Sequence, residues 1–67
     1  MKTLTIGNVS YVIKMITMIC KCHGDRFGFS IGTVFGNQSY FTHWFNTKSE
    51  RDEEYDRVLK IIENNLP

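Results

Sequence analysis

Sixty-seven residues with a formal net charge of +1 and 42% hydrophobic side chains describe one small domain. That charge steers toward no class of partner, and two cysteines are too few for a disulfide framework. A core of this size supplies only about 3–5 kcal/mol, so such chains often rely on disulfides, metal or oligomerisation. The longest apolar run, Tyr11 to Cys20, is broken by Lys14 and Thr17. It falls short of the roughly 20 residues that span a bilayer. Lys2 is followed by alternation rather than an apolar block, so the chain is expected to be cytoplasmic, with reduced thiols.

In chain order, a short alternating strand is predicted over Lys2 to Ile6, then a turn at Gly7-Asn8. A long strand, Val9 to Cys22, follows. Its apolar residues also fit helical spacing, but six of its fourteen residues are β-branched and hairpin signals flank it, which favours strand. Gly24-Asp25 is the next turn, Phe27 to Phe35 the third strand, Gly36-Asn37 the third turn and Tyr40 to Asn46 the fourth strand. Glycine takes positive φ without a steric clash, so each pair suits a tight hairpin. Thr47-Lys48-Ser49-Glu50 then fits a capping box, opening a helix to about Asn65. Tyr55, Val58, Leu59, Ile62 and Leu66 recur at three- and four-residue steps as its apolar stripe, and Asn64, Asn65 and Pro67 end it. The expected fold is α+β: a four-stranded antiparallel β-meander of order 1-2-3-4, with the C-terminal helix packed on one face. The sheet is mildly basic and the helix mildly acidic.

Two-residue turns sort the side chains by face. Cys22, Phe27, Cys20, Phe29, Met18, Ile31, Ile16 and Thr33 share the first face with Tyr40, Thr42 and Trp44. The second holds Leu4, Ile6, Tyr11, Ile13, Met15, Ile19, Val34, Phe41, His43 and Phe45, with Gly28, Ser30 and Gly32. Both faces are apolar, yet one helix covers only one of them, here expected to be the first. The imbalance points to a homodimer or to a docking surface for another macromolecule. The partner-binding residues would be Tyr11, Ile13, Lys21, Arg26, Phe41, His43 and Phe45. The alternative is that the long strand bends and the sheet closes partly on itself.

Motifs for chemistry are sparse. Cys20, Cys22, His23 and His43 are the soft metal-ligand candidates, but the C-x-C-H run sends thiols and imidazole to opposite sides of a strand, so no metal is expected. The two thiols are expected to be buried and inert. Ser30 and His43 share a face with no acid to orient the histidine, so no catalytic residues are expected. Glu53, Glu54 and Asp56 point in different directions and read as a solvated face. The glycines lack phosphate-loop spacing, and no cofactor is expected.

Arg26-Phe27-Gly28-Phe29 followed by Phe41-Thr42-His43-Trp44 resembles the paired aromatic strands of cold-shock domains. The resemblance covers residues 26–45; it lacks the glycine before Phe27 and has no counterpart of that family's basic first strand or last two strands. It implies single-stranded nucleic-acid binding, with bases stacked on Phe27, Phe29, Phe41 and His43 beside Arg26. The reading of the residues themselves is a small non-catalytic interaction protein that binds a protein partner and self-associates. Short, motif-free chains of this kind are frequent among bacterial and phage accessory proteins, including inhibitors, which is an analogy of class.

Overall fold

A computed structural model describes residues 2–35 and 37–65, with residues 35 and 37–39 as backbone. Gly36 of the third expected turn, and Leu66 and Pro67 at the expected helix end, lie outside the described residues. The architecture is α+β, with antiparallel strands and one C-terminal helix.

The chain opens with a hairpin of β1 (Thr3–Ile6) and β2 (Val9–Val12). Ile6 pairs with Val9, so Gly7-Asn8 forms the two-residue turn, with Gly7 at φ +59°. That angle lies in the left-handed region, which glycine adopts without a Cβ clash. Alternation points Leu4 and Ile6 inward and leaves Thr5 outside, where its hydroxyl meets that of Ser10 at 3.0 Å.

The expected long strand is broken. A single 3-10 turn, Ile13–Met15, separates β2 from β3 (Ile16–Lys21). The Ile13 amide donates to the Lys2 carbonyl, and the Ile13 side chain enters the core. The break swings the first hairpin over the next three strands. The four-stranded meander is therefore corrected to a two-stranded sheet, β1-β2, and a three-stranded sheet, β3-β4-β5, in which β4 is Phe27–Phe35 and β5 is Asn37–Phe45. The fourth strand starts earlier than expected. Bending buries apolar area that an extended strand would leave in water.

The register also departs from the expected one. Ile16 does pair with Thr33, but a bulge follows, and Met18 pairs with Gly32 rather than Ile31. At the other end the Cys22 amide donates to the Gly28 carbonyl, closing a loop of five residues where a two-residue loop was expected. Phe35 pairs with Asn37, again an odd count. Each odd loop turns the following strand over relative to the two-residue expectation. Phe29 now shares a face with His43 and Phe45, while Trp44, Thr42 and Tyr40 share the other with Gly28, Ser30 and Gly32.

Helix α1 (Lys48–Asn64) begins as expected. The Thr47 hydroxyl accepts the Glu50 amide at 3.1 Å and donates to the Glu50 carboxylate. The helix crosses the Phe29 face, with the Tyr55 ring edge-on to Phe29. Val58 is fully enclosed, and Ile61 and Ile62 pack beside it. Val58 and Leu59 both lie on the expected stripe, but Leu59 is only partly buried. Extending the stripe back one turn reaches Arg51, which is 8% exposed. Its guanidinium donates to the carbonyls of Gly28 and Cys22 and pairs with Asp52, which also meets Lys21. Hairpin and helix thus cover the same sheet face, and the core is Leu4, Ile6, Tyr11, Ile13, Phe29, Ile31 and Val58.

Candidate interaction surface

The face that hairpin and helix leave open is built on β3, β4 and β5. Its side chains include Met18 and Cys20, with Cys22 just past β3, then Ser30 and the exposed Val34, then Tyr40, Thr42 and Trp44. Gly28 and Gly32 form a bed beneath the two aromatics. A Cβ on Gly28 would lie 2.6 Å from the Trp44 ring and from the His43 carbonyl oxygen; one on Gly32 would lie 3.3 Å from the Tyr40 ring. The absent side chains let both rings lie close to the sheet backbone, where glycine otherwise weakens a strand. Trp44 is still 46% exposed and Tyr40 60%.

Arg26 places its guanidinium carbon 4.1 Å from the centre of the Trp44 ring, a cation–π contact at the end of the face. Between the aromatics runs a polar row across three strands: Cys22 Sγ to Ser30 Oγ at 3.6 Å, and Ser30 Oγ to Thr42 Oγ1 at 2.8 Å. The open face is therefore mixed, with aromatic ends and a hydroxyl middle. The expectation of two apolar faces does not hold, because the register shift moves Phe41 and Phe45 to the covered side.

The residues expected to form a docking surface are dispersed. Tyr11 and Ile13 are core residues, and Phe45 stacks on Phe29 at 5.5 Å between ring centres. Their expected exposure is corrected: the bend after Val12 folds the first two inward, and the odd loop turns Phe45 under the helix. His43 is half-buried, its Nε2 2.6 Å from the Tyr11 hydroxyl. Burial lowers its pKa, with the Glu54 carboxylate pulling the other way, and raises that of Tyr11. Lys21 is held by Asp52 and lies over the Tyr55 ring, on the helix side. Arg26 and Phe41 are exposed, but on opposite faces. Phe41 borders a cleft of about 410 Å³ between Tyr11 of β2 and Tyr40 of β5, floored by Ile31 and Thr33.

The expected base-stacking residues fare differently. Phe29, Phe41 and His43 do share a face, as Phe27 does, but Phe29 is fully enclosed and unavailable for stacking. Ser30 and His43, expected on one face, lie on opposite faces. Cys20 is exposed and Cys22 half-buried, correcting the expectation of two buried thiols. Among the described residues, no group of three histidine, cysteine or acidic side chains is placed to hold a metal ion. No helix among them is long and apolar enough to cross a membrane.

Sequence reasoning set Trp44, Tyr40, Met18 and Cys20 under the helix. The available signal was Gly28, Ser30 and Gly32: three small residues alternating on β4 make room for aromatics opposite them. Comparison with protein-family models, with curated proteins and with solved structures finds no match to the chain.

Proposed function

We propose that this chain is a non-catalytic protein-interaction module whose contact surface is the open face of the three-stranded sheet. The observation that carries the reading is the exposure of Trp44 and Tyr40 on the Gly28–Gly32 bed, with Arg26 on the Trp44 ring. Tryptophan, tyrosine and arginine are the residue types that most often dominate binding energy at protein interfaces. Both rings rest on backbone, so little side-chain freedom is lost on binding. The Ser30–Thr42 row offers hydroxyls between the two anchors. Among the described residues the face has one cation, Arg26, and the acidic helix lies behind the sheet. A strand of phosphates would find few partners there.

The test compares the wild-type chain with a Trp44→Ala, Tyr40→Ala double variant, each immobilised and exposed to nuclease-treated native lysate. A protein captured by the first and not by the second, with both folded by circular dichroism, supports the reading. Titration with labelled oligo-dT at two salt concentrations is the counter-test. Saturable binding with a log–log salt slope of roughly −2 to −3 would replace it with single-stranded nucleic-acid binding.

A further inference from the structure

The two edges of the three-stranded sheet are unlike. The β3 edge is six residues long, interrupted by the bulge between Ile16 and Met18, and ends at Lys21. Bulges and lysines are how sheets prevent edge-to-edge pairing. The β5 edge spans nine residues, Asn37–Phe45, with no charged residue, no proline and no register shift against β4. Among the described residues β5 pairs with β4 alone.

The direction of its amides follows from one hydrogen bond. The Gly28 carbonyl accepts from Cys22, so Gly28, Ser30 and Gly32 turn their amides and carbonyls toward β3. Phe29 and Ile31 turn theirs toward β5 and meet His43 and Phe41. Tyr40, Thr42 and Trp44 therefore present their N–H and C=O groups outward, and these are the residues whose side chains lie on the open face.

We infer that β5 pairs antiparallel with β5 of a second copy of this chain, about a two-fold axis at Thr42, joining the two sheets into one of six strands. This deepens the interaction reading above and rests on it. The register follows from self-complementarity. An axis at Thr42 sets outward amides against outward carbonyls at Thr42–Thr42 and at both Tyr40–Trp44 pairs. Cross-strand aromatic pairs and threonine pairs are among the favourable ones in antiparallel sheets. An axis at Phe41 would satisfy the same amides but put each Tyr40 opposite Thr42, forgoing the aromatic pairs. The uncharged edge offers a second copy no like-charge repulsion, and the same patch on both copies gives a closed dimer rather than a fibre. The paired sheets carry four aromatics on one continuous face, twice the width available to a partner.

Sedimentation equilibrium at micromolar concentration tests the pairing with three chains. The wild type is expected at twice the monomer mass. Thr42→Pro removes an outward amide that has no partner among the described residues, and the two-fold doubles the loss. The variant should remain folded and dimerise about a hundredfold more weakly, as the loss of two amide hydrogen bonds implies. Thr42→Val keeps the amide while losing the bond to Ser30, and should remain dimeric. A folded wild-type monomer at all concentrations, or a dimer indifferent to Thr42→Pro, overturns the edge pairing. Loss of the dimer in Thr42→Val as well would overturn it too, tracing the effect to the hydroxyl. A wild-type monomer that still captures a protein through Trp44 and Tyr40 separates failure of this inference from failure of the interaction reading.

Discussion

The two faces of the three-stranded sheet are made from the same strands and meet opposite fates. On one side Phe29 and Ile31 are shut off from solvent by a helix from one end of the chain and a hairpin from the other. On the other, Trp44 and Tyr40 are larger or comparable side chains and stay about half exposed. Hydrophobicity does not distinguish the two sets. What separates them is the small residue opposite each open-face aromatic, and the loop parity that decides which ring turns inward. A large ring over glycine is satisfied by backbone contact on one side and remains available on the other.

The sharpest way to break this comparison is to truncate one aromatic on each face. Phe29→Ala should cost about 3–5 kcal/mol, comparable to all the stability expected of a chain this size, and leave it unfolded at room temperature. Trp44→Ala should cost only about 0.2–1 kcal/mol, the scale of a cross-strand pair. Thermal melts followed by far-ultraviolet circular dichroism read both; equal losses would make the open face a structural one. Next in size is Gly28→Ala. Its Cβ would meet the His43 carbonyl, which cannot step aside, as well as the Trp44 ring. About 1–3 kcal/mol is expected. Adding Trp44→Ala should restore only the part owed to the ring.

Arg51 ties the covered face to the loop that sets the register. Arg51→Met keeps the stem but takes the guanidinium from the Cys22 carbonyl and one of two donors from the Gly28 carbonyl, which keeps the Cys22 amide, an expected loss of about 1–3 kcal/mol in urea melts. Acid should act on the same side of the sheet. Burial holds the folded His43 pKa below its ordinary 6.5, so the unfolded chain takes up that proton first as pH falls. Stability should be full above about pH 6.5 and decline below it, through the lower folded value. His43→Gln should abolish this decline. Asp52, lowered chiefly by its hydrogen bond from Arg51, and Glu54, lowered chiefly by that from Arg57, contribute their own losses only at more acid pH. The smallest effect is chemical: Cys20 should react with a maleimide in the native state faster than Cys22, without changing the melt.

Local signals were legible where one residue decides. Gly7-Asn8 makes the turn and Thr47 makes the cap because each rests on one φ angle or one hydroxyl. Register was not legible, because it depends on whether a loop holds an odd or even number of residues. Gly24-Asp25 reads as a two-residue turn until the Cys22–Gly28 hydrogen bond widens it. The break at Ile13–Met15 was hidden for another reason: isoleucine and methionine suit a strand locally, and only the apolar surface waiting on β4 rewards the bend. Arg51 sat on the apolar stripe, one turn before Tyr55, but a charge in an acidic first turn reads as solvated unless its carbonyl partners are known. The candidate site inherited the register error, so Trp44 and Tyr40 were assigned to the core and Phe45 to the surface.

The Arg57 guanidinium donates to the Thr5 carbonyl, a contact across 52 positions of sequence. Its neighbour Val58 closes over Phe29 beside the first hairpin. On a ribosome the strands emerge first, and the ring that most needs shelter stays in water until the helix follows. Contacts this distant slow folding, because a long loop must close before burial rewards it. The nascent strands therefore pass through an interval with one sheet face bare, the other covered by the first hairpin alone, and the uncharged β5 edge open. In that interval a chaperone, or a neighbouring nascent chain, competes with the protein's own last seventeen-residue helix for Phe29.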